Sequence, residues 1–220
     1  MTTVFLDALG TLVWLEPPAP RLRRLLAEQG HDVTEERAAA AFAAEISYYL
    51  DHHLEGSDPA ALDELRDRCA RIVADVLDLP ALDHAEARRA MLGALSFEPY
   101  PEVAGVLREL RVRGHALVVV SNWDCSLPGW LEGAGLRDLL DDVVSSAAVG
   151  AAKPDPAIFA AALERADARP EDAVHVGDSL EKDVAGARAA GIRPVLVYRD
   201  GGPPGGVEAI GTLSELPSLL

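Results

Sequence analysis

Five short apolar runs, each passing into a polar turn, constrain this chain more than any other feature: residues 3–6, 116–120, 143–145, 173–176 and 194–198. A strand with one face in water alternates apolar and polar side chains, whereas a strand covered on both faces does not. These runs do not alternate, so they belong in a parallel sheet packed between helices. Helical patterns separate the later runs, at 102–113, 157–166 and 180–190. Gly114 and Gly191 follow helix ends, where left-handed backbone is favoured. Asp155 and Pro156 read as an N-cap and a first helical position. The expected fold is therefore α/β, a Rossmann-like, doubly wound parallel sheet. A length of 220 residues with a 49% hydrophobic fraction supplies such a core and a second, smaller body.

Residues 20–95 break the alternation and contain no strand pattern. Leu62, Leu65, Cys69, Ile72, Val73 and Val76 recur at helical spacing behind the start signal Asp58-Pro59. Phe42, Ile46, Tyr49, Leu50 and His53 do the same one segment earlier. The spacing predicts a helical bundle over residues 16–95, inserted into a core formed by 1–15 and 96–220. Residues 97–101, Phe-Glu-Pro-Tyr-Pro, return the chain to the core, and the Gly/Pro-rich stretch 200–206 reads as a loop.

Charge narrows the partners. With 36 acidic against 20 basic residues the net charge is -16, which repels nucleic acid and anionic lipid. Two cysteines, Cys69 and Cys125, make neither a disulfide framework nor a thiolate metal site. The first seven residues carry no basic segment and no long apolar run, so a cytoplasmic, reduced protein without a membrane span is expected.

Ligands of an open parallel sheet bind beyond the carboxyl ends of its strands, and four segments of this chain sit at such ends. Asp7 ends the first run ahead of Gly10 and Thr11. Ser121 and Asn122 end the second. Lys153 precedes the helix start at Asp155. Gly177-Asp178 ends the fourth, with Asp183 five positions further on. Asp7, Asp178 and Asp183 offer the oxygen ligands that suit Mg²⁺. Ser121 and Lys153 offer a hydroxyl and an ammonium to an anion. Each segment alone has a plainer reading: a turn-forming Asp, a strand-ending Ser, a solvated Lys, a first-turn carboxylate favoured by the helix dipole.

Taken in order, Asp7…Gly10-Thr11-Leu12, Ser121-Asn122, Lys153-Pro154 and Gly177-Asp178…Asp183 resemble the four motifs of the haloacid dehalogenase superfamily, with a helical cap inserted after the first motif. The resemblance implies an Mg²⁺-dependent hydrolase of a small substrate. Asp7 matches the nucleophile that forms a covalent aspartyl intermediate. Ser121, with Asn122 beside it, matches the phosphate-binding hydroxyl. Lys153 matches the lysine that neutralises nucleophile and phosphate. Asp178 matches the metal carboxylate, and Asp183 the one supporting metal water or the lysine. The cap is expected to open for substrate and close to exclude water.

The match fails at Leu9. The family's phosphatases usually carry there a second aspartate, which protonates the leaving group and later activates water. Leucine transfers no proton, although its backbone carbonyl still offers a metal ligand. Three readings stay open: a phosphatase specialised for leaving groups that need no proton, a 2-haloacid dehalogenase acting on a halogenated substrate, and a non-catalytic phosphate-binding member. Gly177-Asp178 argues for the first over the second. Asp124 is a candidate replacement acid or simply a turn carboxylate. Trp123 and Trp14 either wall the pocket or pack. Tyr48, His52 and Glu55 share one face of a cap helix and either reach substrate or face solvent. Arg21, Arg23 and Arg24 meet an anion or balance charge. His52-His53 lacks the spacing of three or four that two helical metal ligands need. The assembly is a monomer or a homodimer.

Overall fold

The computed structural model describes residues 2–199 and 205–220 and divides into two compact units, Met1–Trp14 with Glu98–Leu220, and Leu15–Phe97. In chain order the elements are β1 (Thr3–Leu6), β2 (Val13–Leu15), α1 (Pro18–Glu28), α2 (Glu35–His52), α3 (Pro59–Leu77), α4 (His84–Ala94), β3 (Phe97–Pro99), α5 (Val103–Val112), β4 (Ala116–Ser121), α6 (Leu127–Gly133), β5 (Asp142–Ser145), α7 (Ser146–Val149), α8 (Pro156–Arg165), β6 (Ala173–Gly177), α9 (Gly186–Ala189), β7 (Arg193–Val197) and β8 (Glu208–Ile210).

The larger unit is built on a six-stranded sheet in the order β5-β4-β1-β6-β7-β8, parallel throughout. From β1 the chain winds outward through β4 to β5, then returns to the other side of β1 and winds out through β6, β7 and β8. Right-handed crossovers running in opposite directions place their helices on opposite faces. On one face, Phe5, Val118, Val120 and Val144 pack with Ile158, Phe159 and Ala162 of α8 and Ala187 of α9. Helix α5 packs beside β4 and buries Val103, Val106, Leu107 and Leu110. Each such side chain withdrawn from water contributes about 1.5–3 kcal/mol.

All five strands expected from the sequence are present, with ends shifted by a residue or so. The sequence reading missed β2, β3, β8, α6 and α7. It also predicted one helix over 180–190. The structure has a π-helical segment, Leu180–Ala185, running into the four-residue α9. The cause is a doubly used carbonyl: Ser179 O accepts from Asp183 N and Val184 N, each at 3.0 Å. The predicted loop at 200–206 lies largely outside the described residues.

The smaller unit is a bundle of α1–α4. Asp58 caps α3, its Oδ1 accepting from Ala60 N at 2.9 Å and Ala61 N at 3.0 Å, with Pro59 at the first position. The buried stripe of α3 is Leu62, Leu65, Cys69, Ala70, Val73 and Leu77. Val76, expected in that stripe, sits one position off it and is exposed, as is Leu50 on α2. The inner face of α2 instead buries Ala38, Ala41, Phe42 and a carboxylic acid, Glu45. Strands β2 and β3 pair in a ribbon where the chain passes between the units.

Candidate active site

The winding of the sheet reverses at β1, and its neighbours β4 and β6 end level with it. Three strand ends thus bring together Asp7, Ser121 and Asp178, which are far apart in sequence. The turn after β1 is tight. Ala8 O accepts from Thr11, Leu12 and Val13 N, and Gly10 N donates to Val13 O at 2.8 Å. Gly10 is required there twice over. Its φ is +84°, and a Cβ would lie 2.0 Å from Asp178 Oδ2.

Asp7 is buried, and its Oδ1 accepts from Ser121 Oγ at 2.9 Å and Lys153 Nζ at 2.6 Å. Lys153 Nζ also donates to Asp183 Oδ1 at 2.6 Å, so one buried ammonium bridges two buried carboxylates. Asp183 Oδ2 accepts from Ser179 N at 2.9 Å. Asn122 holds the lysine by its backbone: Nδ2 donates to Lys153 O at 2.9 Å, and Oδ1 accepts from Lys153 N at 2.7 Å. Asn122 therefore positions Lys153.

Burial pushes Asp7 up, and Lys153 opposes the rise; the Asp183 charge adds to it. Burial alone would lower Lys153, but Asp7 and Asp183 outweigh it and keep the ammonium protonated. Burial would likewise raise Asp183, but Lys153 and His175 hold it well below the usual carboxylate range. Asp178 is open to solvent on one side, yet partial desolvation and the neighbouring Asp183 charge push it up. The oxygens that Asp7, Asp178 and Asp183 offer lie within 4.8 Å of one another. Three hard oxygen donors this close, two of them with raised pKa values, fit a divalent cation such as Mg²⁺.

The structure thus brings together Asp7, Ser121, Asn122, Lys153, Asp178 and Asp183. Leu9 lies in the same turn with its side chain 43% exposed. Trp123 is buried, its backbone N–H donating to Ser146 Oγ at 3.0 Å. Trp14 is exposed. Asp124 is buried but engaged in its own turn, Oδ1 accepting from Ser126 N at 2.7 Å and Ser126 Oγ at 2.5 Å. In the smaller unit, Tyr48 stacks on His52 at 3.9 Å and accepts from Arg68 Nε at 2.9 Å, and Arg68 also pairs with Glu55. Arg21 pairs with Glu16 and Arg24 with Glu28.

Two residues at the site escaped the sequence reading. His175 lies in the middle of β6, fully buried, with Nε2 2.8 Å from Asp183 Oδ1. Its signal was an ionisable side chain inside an apolar run. Arg199, just past β7, donates to Gly10 O at 3.2 Å and Thr11 O at 2.8 Å, pairs with Glu102 at 2.8 Å and lies 3.3 Å over the Tyr100 ring. It fastens the turn that follows Asp7.

The parallel sheet thus holds one lysine between an aspartate just past β1 and another beyond β6. The family model for haloacid dehalogenase-like hydrolases matches residues 1–191, and the chain belongs to that family. Phosphoserine phosphatase from Thermus thermophilus is 46% identical over 101 residues, 46% of this chain and 41% of its own. This chain therefore spans less than half the length of such curated relatives. Among solved structures, an HAD phosphatase from Thermococcus onnurineus aligns over 100% of this chain and 97% of its own, with TM-score 0.68 and 27% identity. A 2-haloacid dehalogenase from Pseudomonas syringae aligns over 100% and 98%, with TM-score 0.70 and 26% identity. Among the described residues, no helix is long and apolar enough to cross a membrane.

Proposed function

We propose that this chain is an Mg²⁺-dependent phosphatase of small phosphorylated molecules that works through an aspartyl-phosphate on Asp7. The observation that carries this reading is the lysine bridge: Nζ at 2.6 Å from both Asp7 Oδ1 and Asp183 Oδ1, beside three carboxylates within 4.8 Å. Phosphoryl transfer needs positioning and charge neutralisation above all, and both are built here. Asp7, Asp178 and Asp183, with the Leu9 carbonyl, would hold the cation, which when bound neutralises charge on the phosphoryl oxygens.

Ser121 and Lys153 both donate to Asp7 Oδ1. Among the described residues nothing donates to Oδ2, which is left as the attacking oxygen. Oδ2 forms a bond to phosphorus as the bond to the leaving oxygen breaks. Water then attacks the phosphorus of the aspartyl-phosphate and releases phosphate and the Asp7 carboxylate. The exposed apolar Leu9 supplies no proton to the leaving oxygen, and Asp124 is engaged with Ser126. The preferred substrates therefore have leaving groups stable as anions, such as acyl phosphates. Leu9 also favours a second reading, 2-haloacid dehalogenation, because halide leaves without a proton. The carboxylate triad supports the phosphatase over it.

The test is hydrolysis of acetyl phosphate and p-nitrophenyl phosphate with Mg²⁺ by wild type, Asp7→Asn and Leu9→Asp. Wild type should turn over acetyl phosphate best. Asp7→Asn should be inactive. Leu9→Asp should speed hydrolysis of the aspartyl-phosphate, and so turnover of both substrates, by about 10²-fold, the scale of one positioned acid–base group. Silence on both phosphates, with chloride released from 2-chloropropionate, would replace the phosphatase by the dehalogenase.

A further inference from the structure

Asp183 has no freedom in how it meets Lys153. Its Oδ1 accepts from Lys153 Nζ at 2.6 Å and also lies 2.8 Å from His175 Nε2, while Oδ2 is held by Ser179 N. His175 is completely buried, and its other nitrogen, Nδ1, has no hydrogen-bond partner. A proton on Nδ1 would be a buried donor without an acceptor, which is costly. A carboxylate oxygen facing Nε2 can only accept. The ring is therefore the neutral tautomer with its proton on Nε2, giving a single directed hydrogen bond.

The ring itself is locked from behind. Phe159 meets it edge-on, with centroids 4.9 Å apart and planes at 85°. Phe159 in turn fits against Gly186, where a Cβ would lie 2.7 Å from Phe159 Cε2 and 3.1 Å from Pro154 Cα. Register adds a further constraint, because His175 on β6 is paired with Phe5 on β1, two residues before Asp7. A line of contacts thus runs from Gly186 through Phe159, His175 and Asp183 to Lys153 and Asp7.

We infer that His175 is a positioning residue for the reaction: its Nε2–H fixes Asp183 Oδ1, and through it the Lys153 ammonium, at the distance that serves Asp7. The kinetic part rests on the phosphatase reading; the spectroscopic part does not. Outer partners of this kind typically control activity or metal affinity by 10–100-fold. The variants are His175→Phe, which keeps a planar ring but removes the donor, and His175→Gln, which returns an N–H near the Nε2 position.

With acetyl phosphate and Mg²⁺, His175→Phe should lose about 10–100-fold in kcat with KM within about twofold, and His175→Gln should recover most of the loss. Calorimetric titration with Mg²⁺ alone should show the same order, wild type and Gln above Phe. Long-range proton–nitrogen NMR of the metal-free wild type should show His175 protonated on Nε2 only, with a slowly exchanging proton that shifts in Asp183→Asn. Equal kcat in wild type and Phe, or equal losses in Phe and Gln, overturns the inference. So does a proton found on Nδ1, which decides the matter even where His175→Phe does not fold. A wild type silent on phosphates yet showing the Nε2 tautomer and the same order of Mg²⁺ binding would sink the phosphatase and leave the positioning role standing.

Discussion

The two units treat buried polarity in opposite ways. Among the described residues, the α/β unit buries Thr3, Asp7, Thr11, Ser121, Asp124, Ser145, Ser146, Lys153, His175 and Asp183. The helical unit buries only Glu45 and His53, and several of its other charges are paired on the surface, as in Arg24–Glu28 and Arg88–Asp63. Polar groups withdrawn from water are costly unless partnered. In the α/β unit Asp7, Ser121, His175 and Asp183 form one connected set with Lys153, where low exposure strengthens each interaction. In the helical unit the buried acid stands among apolar side chains with the Cys69 thiol as a hydrogen-bond partner. One unit retains buried charge in a network capable of chemistry. The other is stabilised chiefly by its apolar stripes.

The comparison breaks most visibly at Lys153. Lys153→Met removes the cation shared by two buried carboxylates, and breaking a buried pair in this way costs roughly 3–5 kcal/mol. Thermal unfolding should reveal that loss, together with a fall in kcat of about 10²–10³, the scale of a preorganised charge partner. An unchanged Tm would mean that the network is wetter than described. Gly177→Ala comes next. A Cβ there would sit 2.2 Å from Asp183 Cγ, and Asp183 is held by three donors, so the clash is not relieved by a simple rotation. A loss of about 1–3 kcal/mol is expected from overpacking, with activity falling alongside; chemical denaturation and initial rates measure both.

Arg199→Met is a milder cut, since the nucleophile turn keeps its own backbone bonds. A loss of about 1 kcal/mol is expected for the unpaired Gly10 and Thr11 carbonyls, with kcat reduced less than about tenfold. A larger kinetic than thermodynamic effect would place Arg199 in the chemistry itself. The smallest effect sits in the helical unit and has the opposite sign. Burial pushes Glu45 up, with the Cys69 thiol opposing. The folded protein therefore binds that proton more tightly than the unfolded chain does, and stability falls as pH rises through the folded pKa. Glu45→Gln should raise Tm at neutral and alkaline pH, on the order of 1 kcal/mol, with the gain fading in acid. A gain independent of pH would show that Glu45 does not titrate as a buried acid.

What the sequence disclosed follows from what is local. Strands buried on both faces appear as unbroken apolar runs, so β1, β4, β5, β6 and β7 were legible. Strand β8, only three residues long with an exposed Glu208, has no such run. Motif residues at strand ends were legible because one sheet geometry collects them, and Asp7, Ser121, Lys153, Asp178 and Asp183 do converge. The meaning of His175 and Arg199 was not legible, because it depends on partners at Asp183 and at Gly10–Thr11. Gly10 was readable as a turn glycine, and Gly177 as the end of a strand. That each makes room for a carboxylate, of Asp178 and of Asp183, is a fact of packing alone.

The ribbon of β2 and β3 also bears on how the chain reaches this state. Strand β1 is the middle of the sheet, yet both its partners lie far downstream, at Ala116 and Ala173. Closing such a loop has an entropic cost that grows with the logarithm of its length. The helical unit is one continuous stretch rich in local contacts, the kind that forms early. Once formed, with β2 paired to β3, it takes most of the intervening residues out of the search. A helical unit already formed would leave a shorter detour to close between β1 and β4.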